Sequence, residues 1–181
     1  MNGIAKFHKV SYEQYKRDFI EQMHTTNGQE ISDEDVIIQQ SYDTIQLPKR
    51  GTAGSAGYDF FAPYHFNIPF GRSLVIPTGI RCEFFDPAWF LNIMPRSGQG
   101  FRSGIHLSNT CGIIDSDYFH ANNEGHIMIK LVNDSTVGQN RPFCLECGDA
   151  FAQGIIMPYG LTVDDDATEA RTGGFGSTSR K

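Results

Sequence analysis

Three short segments of this chain carry residues able to handle a phosphorylated ligand. Pro95-Arg96-Ser97-Gly98-Gln99-Gly100 supplies a forked guanidinium, a hydroxyl and glycines that expose backbone N–H groups. That set suits phosphate oxygens, although an ordinary surface loop reads the same way. Gly112-Ile113-Ile114-Asp115-Ser116-Asp117-Tyr118 delivers two acids at alternate positions after an apolar run. On a strand both would face one side, and a carboxylate beside a bound phosphate can serve as a general base. The plain alternative is a polar hairpin end with Asx turns. Gly148-Asp149-Ala150-Phe151-Ala152-Gln153 reads as a turn entering a strand, with Gln153 either a ligand or a solvent-facing residue. Cys144-Leu145-Glu146-Cys147 has the spacing of half a zinc site. No second pair matches it: Cys82 and Cys111 are isolated and the six His show no suitable spacing. Two thiols near a strand end is the better account.

These segments need a scaffold, and the chain divides by texture. Residues 1–41 read as a helical extension. Ser11-Tyr12-Glu13-Gln14 has the capping-box spacing. Tyr12, Tyr15, Phe19 and Met23 then fall on one helical face, and Thr26-Asn27-Gly28 ends it. Ser32-Asp33-Glu34-Asp35 starts a shorter helix, acids suiting a first turn. So short an extension packs on the main domain or a neighbouring subunit rather than folding alone. Residues 42–170 alternate β-type runs with turn signals: Ser73–Pro77, Ile80–Phe85, Phe90–Met94, His126–Val132 and Ala150–Met157. That rhythm predicts an all-β sandwich or barrel. Residues 171–181 form a glycine-rich tail, flexible by composition, with one aromatic ring, Phe175. Such an arm is suited to closing over something.

Composition narrows the function. The 181 residues allow one compact domain. Lys plus Arg total 15 against 21 Asp plus Glu, a net charge of −6, which argues against a protein that coats nucleic acid. A local anion site remains open to an acidic protein. With 39% hydrophobic residues and 14 Phe there is material for a core. No apolar run approaches membrane length. The first residues, Met1-Asn2-Gly3-Ile4-Ala5-Lys6, lack the apolar stretch of a leader, and four cysteines make no disulfide scaffold. A cytoplasmic setting is the expectation.

In this order and spacing, the segments resemble the five motifs of the trimeric dUTPase family. Ala56-Gly57-Tyr58-Asp59-Phe60-Phe61-Ala62 resembles the first, Pro95–Gly98 the second, Asn109–Tyr118 the third, Gly148–Gln153 the fourth and Arg171–Thr178 the fifth. Ile76-Pro77-Thr78-Gly79-Ile80 matches a further family segment. The resemblance implies a β jelly roll that assembles as a homotrimer, its sites at subunit interfaces and closed by the tail of another chain. It implies hydrolysis of dUTP to dUMP and pyrophosphate, usually with magnesium, which keeps uracil out of DNA and supplies dUMP for thymidylate synthesis.

Carried over residue by residue, the resemblance makes Asp115 the base that deprotonates the water attacking the α-phosphorus. Arg96, Ser97, Gly98 and Gln153 hold the triphosphate. Asn109 and backbone groups near Ile113, Ile114 and Met128 read uracil, and Tyr118 lies under the sugar and excludes a 2′-hydroxyl. Phe175 covers the base, with Arg171, Gly176, Ser177 and Thr178 toward the β- and γ-phosphates. Magnesium is held chiefly by the triphosphate and water, with Asp59 at most in its outer shell.

The chain departs from the pattern in three places. Six residues, Phe119 to Glu124, precede Gly125 where the family usually has one, a five-residue insertion that bears on where Met128 falls. The fifth motif is one residue short between Arg171 and Phe175. Gln99 stands where an apolar residue is common. The nearest rival is a dCTP deaminase, which shares the fold but activates water at a cytosine carbon. A rival of another class is a regulatory protein that uses this fold to hold a partner, with nucleotide as the switch. The extension and the insertion would carry that surface.

Overall fold

The computed structural model describes residues 3–27, 34–134, 140–169, 171 and 173. The tail residues Phe175, Gly176, Ser177 and Thr178 therefore lie outside the described residues, as does the start predicted for the second helix at Ser32 and Asp33.

Strands dominate. A five-stranded sheet runs β2 (Lys49–Arg50), β3 (Tyr58–Phe61), β12 (Ala150–Pro158), β7 (Trp89–Pro95), β9 (Gly112–Ile114). A three-stranded sheet joins β5 (Arg72–Pro77), β10 (Met128–Asn133) and β8 (His106–Leu107). Two strand pairs complete the set: β4 (Phe66–Ile68) with β11 (Phe143–Leu145), and β1 (Ala5–Lys9) with β6 (Ile80–Phe84). All of these strand pairings are antiparallel. None of the described sheets closes on itself, which corrects the barrel alternative.

Residues 1–41 also need correction: they open on a strand. The β1 register sets Phe7 opposite Cys82, and the Phe7 ring meets Tyr58 at 5.4 Å and Phe60 at 5.9 Å. Its flanking Lys6, His8 and Lys9 hide that role in the sequence. Two helices follow, α1 (Tyr12–Asn27) and α2 (Glu34–Thr44). Tyr15 and Phe19 of α1 and Ile38 of α2 are buried in one cluster with Phe60, Ile76 and Phe151 of the sheets. The extension and the β domain thus share a core. Gly79, at φ 70°, makes that packing possible: a Cβ there would stand 2.2 Å from Ile45 Cδ1 and 3.3 Å from Tyr15.

The capping box is built differently from its sequence reading. Ser11 Oγ accepts the Gln14 N–H at 3.2 Å, but the Gln14 side chain turns to Asp18 at 2.8 Å. The Ser11 N–H instead donates to Glu124 at 2.8 Å, and Ser11 Oγ donates to the same carboxylate at 2.5 Å. Glu124 belongs to the insertion, so the insertion caps the extension's helix. Arg81 seals the junction, its guanidinium 3.6 Å above the Phe119 ring and donating to the Phe119 carbonyl at 2.8 Å.

Burial raises the Glu124 carboxyl, but the Ser11 bonds and Arg81 outweigh it and hold the group below its ordinary range. A depressed carboxyl stabilises the fold above its unfolded value of about 4.3. That contribution is lost as pH falls through the lower folded value. Acid should therefore loosen α1 and residues 119–124 early, and Glu124→Gln should flatten that part of the acid profile. Amide exchange from about pH 5 down to 3 checks this; equal acid sensitivity in the variant contradicts it.

Candidate active site

The third segment builds a cavity. Strand β9 pairs with β7, Ile114 opposite Leu91 and Gly112 opposite Ile93. Gly112 is needed there, since a Cβ would stand 3.2 Å from the Ile93 side chain. The cavity has a volume of about 370 Å³ and is lined by Asn109, Ile113, Ile114, Asp115, Tyr118, Met128 and Arg171 among others. A larger cavity of about 880 Å³ lies between α1 and residues 64–75, and none of the candidate catalytic or binding residues lines it. The smaller one holds the chemistry.

Asp115 and Asp117 do not lie on a strand as expected. The strand stops at Ile114, and Asp115 precedes a 3₁₀ turn over Ser116–His120 without a side-chain capping bond, its carboxylate free to face Arg171. The two carboxylates still converge, because Arg171 Nε donates to Asp117 at 2.8 Å and Arg171 Nη2 pairs with Asp115. The Arg171 guanidinium also sits 5.8 Å from the Tyr118 ring centre. Arg171, expected on phosphates, here lies on the two acids at the cavity rim.

Tyr118 is buried, its hydroxyl donating to the His126 carbonyl at 2.8 Å. Asn123 Nδ2 donates to that hydroxyl, also at 2.8 Å. Burial first, then the nearby Asp18 charge, push the phenol above its ordinary range, so it stays protonated as a donor. Gly125 closes the insertion at φ 70°, with the Tyr118 carbonyl 2.6 Å from where a Cβ would stand. The insertion therefore folds back as a closed turn, and Met128 keeps its place in the cavity wall.

The second and fourth segments meet elsewhere. Arg96 precedes a short helix, α3 (Ser97–Ser103), on which Ser97 and Gly98 are exposed. Arg96 Nε donates to Asp59 at 3.0 Å and its Nη2 at 3.4 Å. Asp59, from the first segment, thereby orients the guanidinium fork. Gln153 donates to the Pro95 carbonyl at 3.0 Å and lies against Gly57, where a Cβ would stand 2.4 Å from Gln153 Oε1. Gln99 donates to the Ala150 carbonyl at 2.8 Å, which accounts for a polar residue at that position. Three segments thus make one cradle around Arg96.

Cradle and cavity stand at opposite ends of β7. Ile114 faces Leu91, so Asp115 lies level with Phe90, and Arg96 follows Pro95 at the far end. Six residues of strand span about 20 Å. One chain does not bring Asp115 to Arg96.

Sequence reading passed over several wall residues: Ile93, Leu107, Ser108, Ile129 and Lys130. Lys130 sits between inward Ile129 and Leu131 on β10, so the strand's alternation was the available signal. Among the described residues, no three His, Cys, Asp or Glu side chains converge to hold a metal ion. Also among them, no helix is long and apolar enough to cross a membrane. Cys147 Sγ lies 3.5 Å from Thr44 Oγ1 and Cys144 is exposed.

Comparison with known proteins places this geometry. A sequence model described as dUTPase matches residues 43–179. A deoxyuridine 5′-triphosphate nucleotidohydrolase of Bordetella pertussis is 38% identical over 141 residues, covering 74% of this chain and 89% of the relative. Its namesake in Pasteurella multocida is 37% identical over 153 residues, covering 80% and 95%. The crystal structure of dUTPase from Streptococcus mutans superposes with a TM-score of 0.57 at 34% identity, covering 66% of this chain and 90% of that one. The cavity-forming hairpin, the Arg96 cradle and most of the β domain fall inside the matched range, and the chain belongs to the dUTPase family.

Proposed function

We propose that the chain hydrolyses dUTP to dUMP and pyrophosphate by water attack on the α-phosphorus, keeping uracil out of DNA and supplying dUMP for thymidylate synthesis. The observation that carries this reading is the cavity of about 370 Å³ with Asp115 at its rim and Tyr118 in its wall. Its size suits a nucleoside, and its rim carries the one group such chemistry needs. Water is a weak nucleophile at neutral pH, and a positioned carboxylate accelerates its attack by about 10²–10⁴-fold. Asn109 and the backbone at Ile113, Ile114 and Met128 read uracil. Cytosine would leave buried donors and acceptors unpaired, which is costly. The Tyr118 ring lies beneath deoxyribose.

Arg96, Ser97, Gly98 and Gln153 hold the triphosphate. Since Asp115 and Arg96 stand about 20 Å apart along β7, the working site combines two chains. A homotrimer of jelly-roll subunits with shared sites satisfies this, with Arg171 leaving Asp115 when phosphate arrives and Phe175, Gly176, Ser177 and Thr178 closing over the ligand. The donor set bears on magnesium. Asp59 is already engaged by Arg96, and Asp115 and Asp117 by Arg171, which suits an ion carried in on triphosphate oxygens and water. Asp59 would reach it only through water. When bound, the ion neutralises charge on the phosphates. A cytoplasmic setting fits four free thiols.

The test is pyrophosphate release, measured with dUTP, dCTP, dTTP and UTP. A strong preference for dUTP over the other three is expected. Ammonia released from dCTP would establish the deaminase instead.

A further inference from the structure

The extension reaches the nucleotide cavity through one buried histidine. His126 is 0% exposed. Its Nε2 accepts the Gly79 backbone N–H at 2.8 Å. A peptide N–H can only donate, so Nε2 carries no proton and the ring proton is on Nδ1. That proton points at Asp18 Oδ2 of α1, 2.5 Å away. Asp18 is itself held by Gln14. The imidazole is thus gripped on both edges, and its rotation is fixed. The backbone of the same residue carries the carbonyl that receives the Tyr118 hydroxyl. Asn123, from the insertion, donates to that hydroxyl from the other side. Two residues further on, Met128 enters the cavity wall.

We propose that Asp18, His126 and Asn123 are positioning residues that set the Tyr118 ring against the sugar, so that the N-terminal extension and the insertion tune the choice of deoxyribose over ribose. The inference rests on the reading above that Tyr118 lies beneath the sugar. Its physical content is that a ring excludes one extra hydroxyl only where it cannot retreat. Close packing resists such retreat, and a fully satisfied buried polar network holds a side chain to one position. Asp18 and Asn123 touch no nucleotide. They act through the Tyr118 anchor. These two chain-specific elements meet at Ser11 and Glu124, so they are assembled as one support.

The experiment measures kcat and KM for dUTP and for UTP in the full-length protein and in Asp18→Ala, Asp18→Asn, Asn123→Ala and Tyr118→Phe. Asp18→Ala, Asn123→Ala and Tyr118→Phe should each raise KM for dUTP about ten-fold, with kcat within about three-fold. The dUTP-over-UTP preference should narrow by a similar factor. Asp18→Asn keeps an oxygen for the Nδ1–H and should restore both values. The pair Asp18→Ala with Tyr118→Phe should be no worse than Tyr118→Phe alone, because both act through one hydroxyl. Should Asp18→Ala fail to fold, Asn123→Ala, on a half-buried turn, carries the test. Lower melting temperatures with wild-type KM and wild-type dUTP/UTP preference would overturn the inference while leaving dUTP hydrolysis standing. Absence of dUTP turnover in the unsubstituted protein would overturn the functional reading and this inference with it.

Discussion

Asp115→Asn will lower turnover of dUTP about 10²–10⁴-fold and leave dUMP affinity close to that of the unsubstituted enzyme. The amide matches the carboxylate in shape, and the Ser116–His120 turn takes no bond from the Asp115 side chain, so the turn and the cavity wall persist. What disappears is the proton acceptor. The Arg171 pair with Asp117, at 2.8 Å, remains to hold the rim together. On the proposed reading uracil and the sugar meet Asn109, Ile113, Ile114, Met128 and Tyr118 rather than the carboxylate, so binding should survive. Single-turnover kinetics beside calorimetric titration of dUMP will separate the two quantities. Near-normal turnover in the variant would remove Asp115 from the chemistry.

Two inactive chains will make an active enzyme when mixed. Asp115→Asn retains the Arg96 cradle, and Arg96→Ala retains the base. If each site takes Asp115 from one chain and Arg96 from another, a one-to-one mixture refolded together has about a quarter of its sites with both groups intact. Recovery should approach that fraction of normal activity, against a background lower by two orders of magnitude or more. Chains mixed without exchange provide the control. No recovery after verified exchange would mean that each site is complete within one chain, against the 20 Å or so that β7 interposes.

The strands with strong β-type runs were legible. Those read at Ser73–Pro77, Ile80–Phe85, Phe90–Met94, His126–Val132 and Ala150–Met157 agree with β5, β6, β7, β10 and β12 to within two residues. β1 was not, because Ala-Lys-Phe-His-Lys is short with one large apolar residue among polar ones, and it gains its strand character from β6, with His8 bonded to Glu83, 75 positions away. Local pattern cannot report a pairing that tertiary contact creates. The site divides in the same way. Residue types marked Asp115, Arg96 and Tyr118, but not the partners that aim them. Asp59 orients Arg96 from 37 positions away, and Asp18 reaches His126 across 108. The 3₁₀ turn at Ser116–His120 escaped because alternating acids after an apolar run read equally well as a strand end.

The Ser11–Glu124 contact spans 113 residues, and this sets an order of events during synthesis. The amino-terminal segment can meet β5 and β6 once they are made, but it cannot make its contacts to Glu124 and His126 until those residues follow. At roughly 5–20 residues per second that wait is about 6–23 s. Until then Tyr15 and Phe19 of α1 can pack on Tyr42, Tyr64 and Ile76, while Ser11 and Asp18 await their partners. The turn that holds Tyr118 thus gains this support only when a segment made much earlier in the chain returns to it.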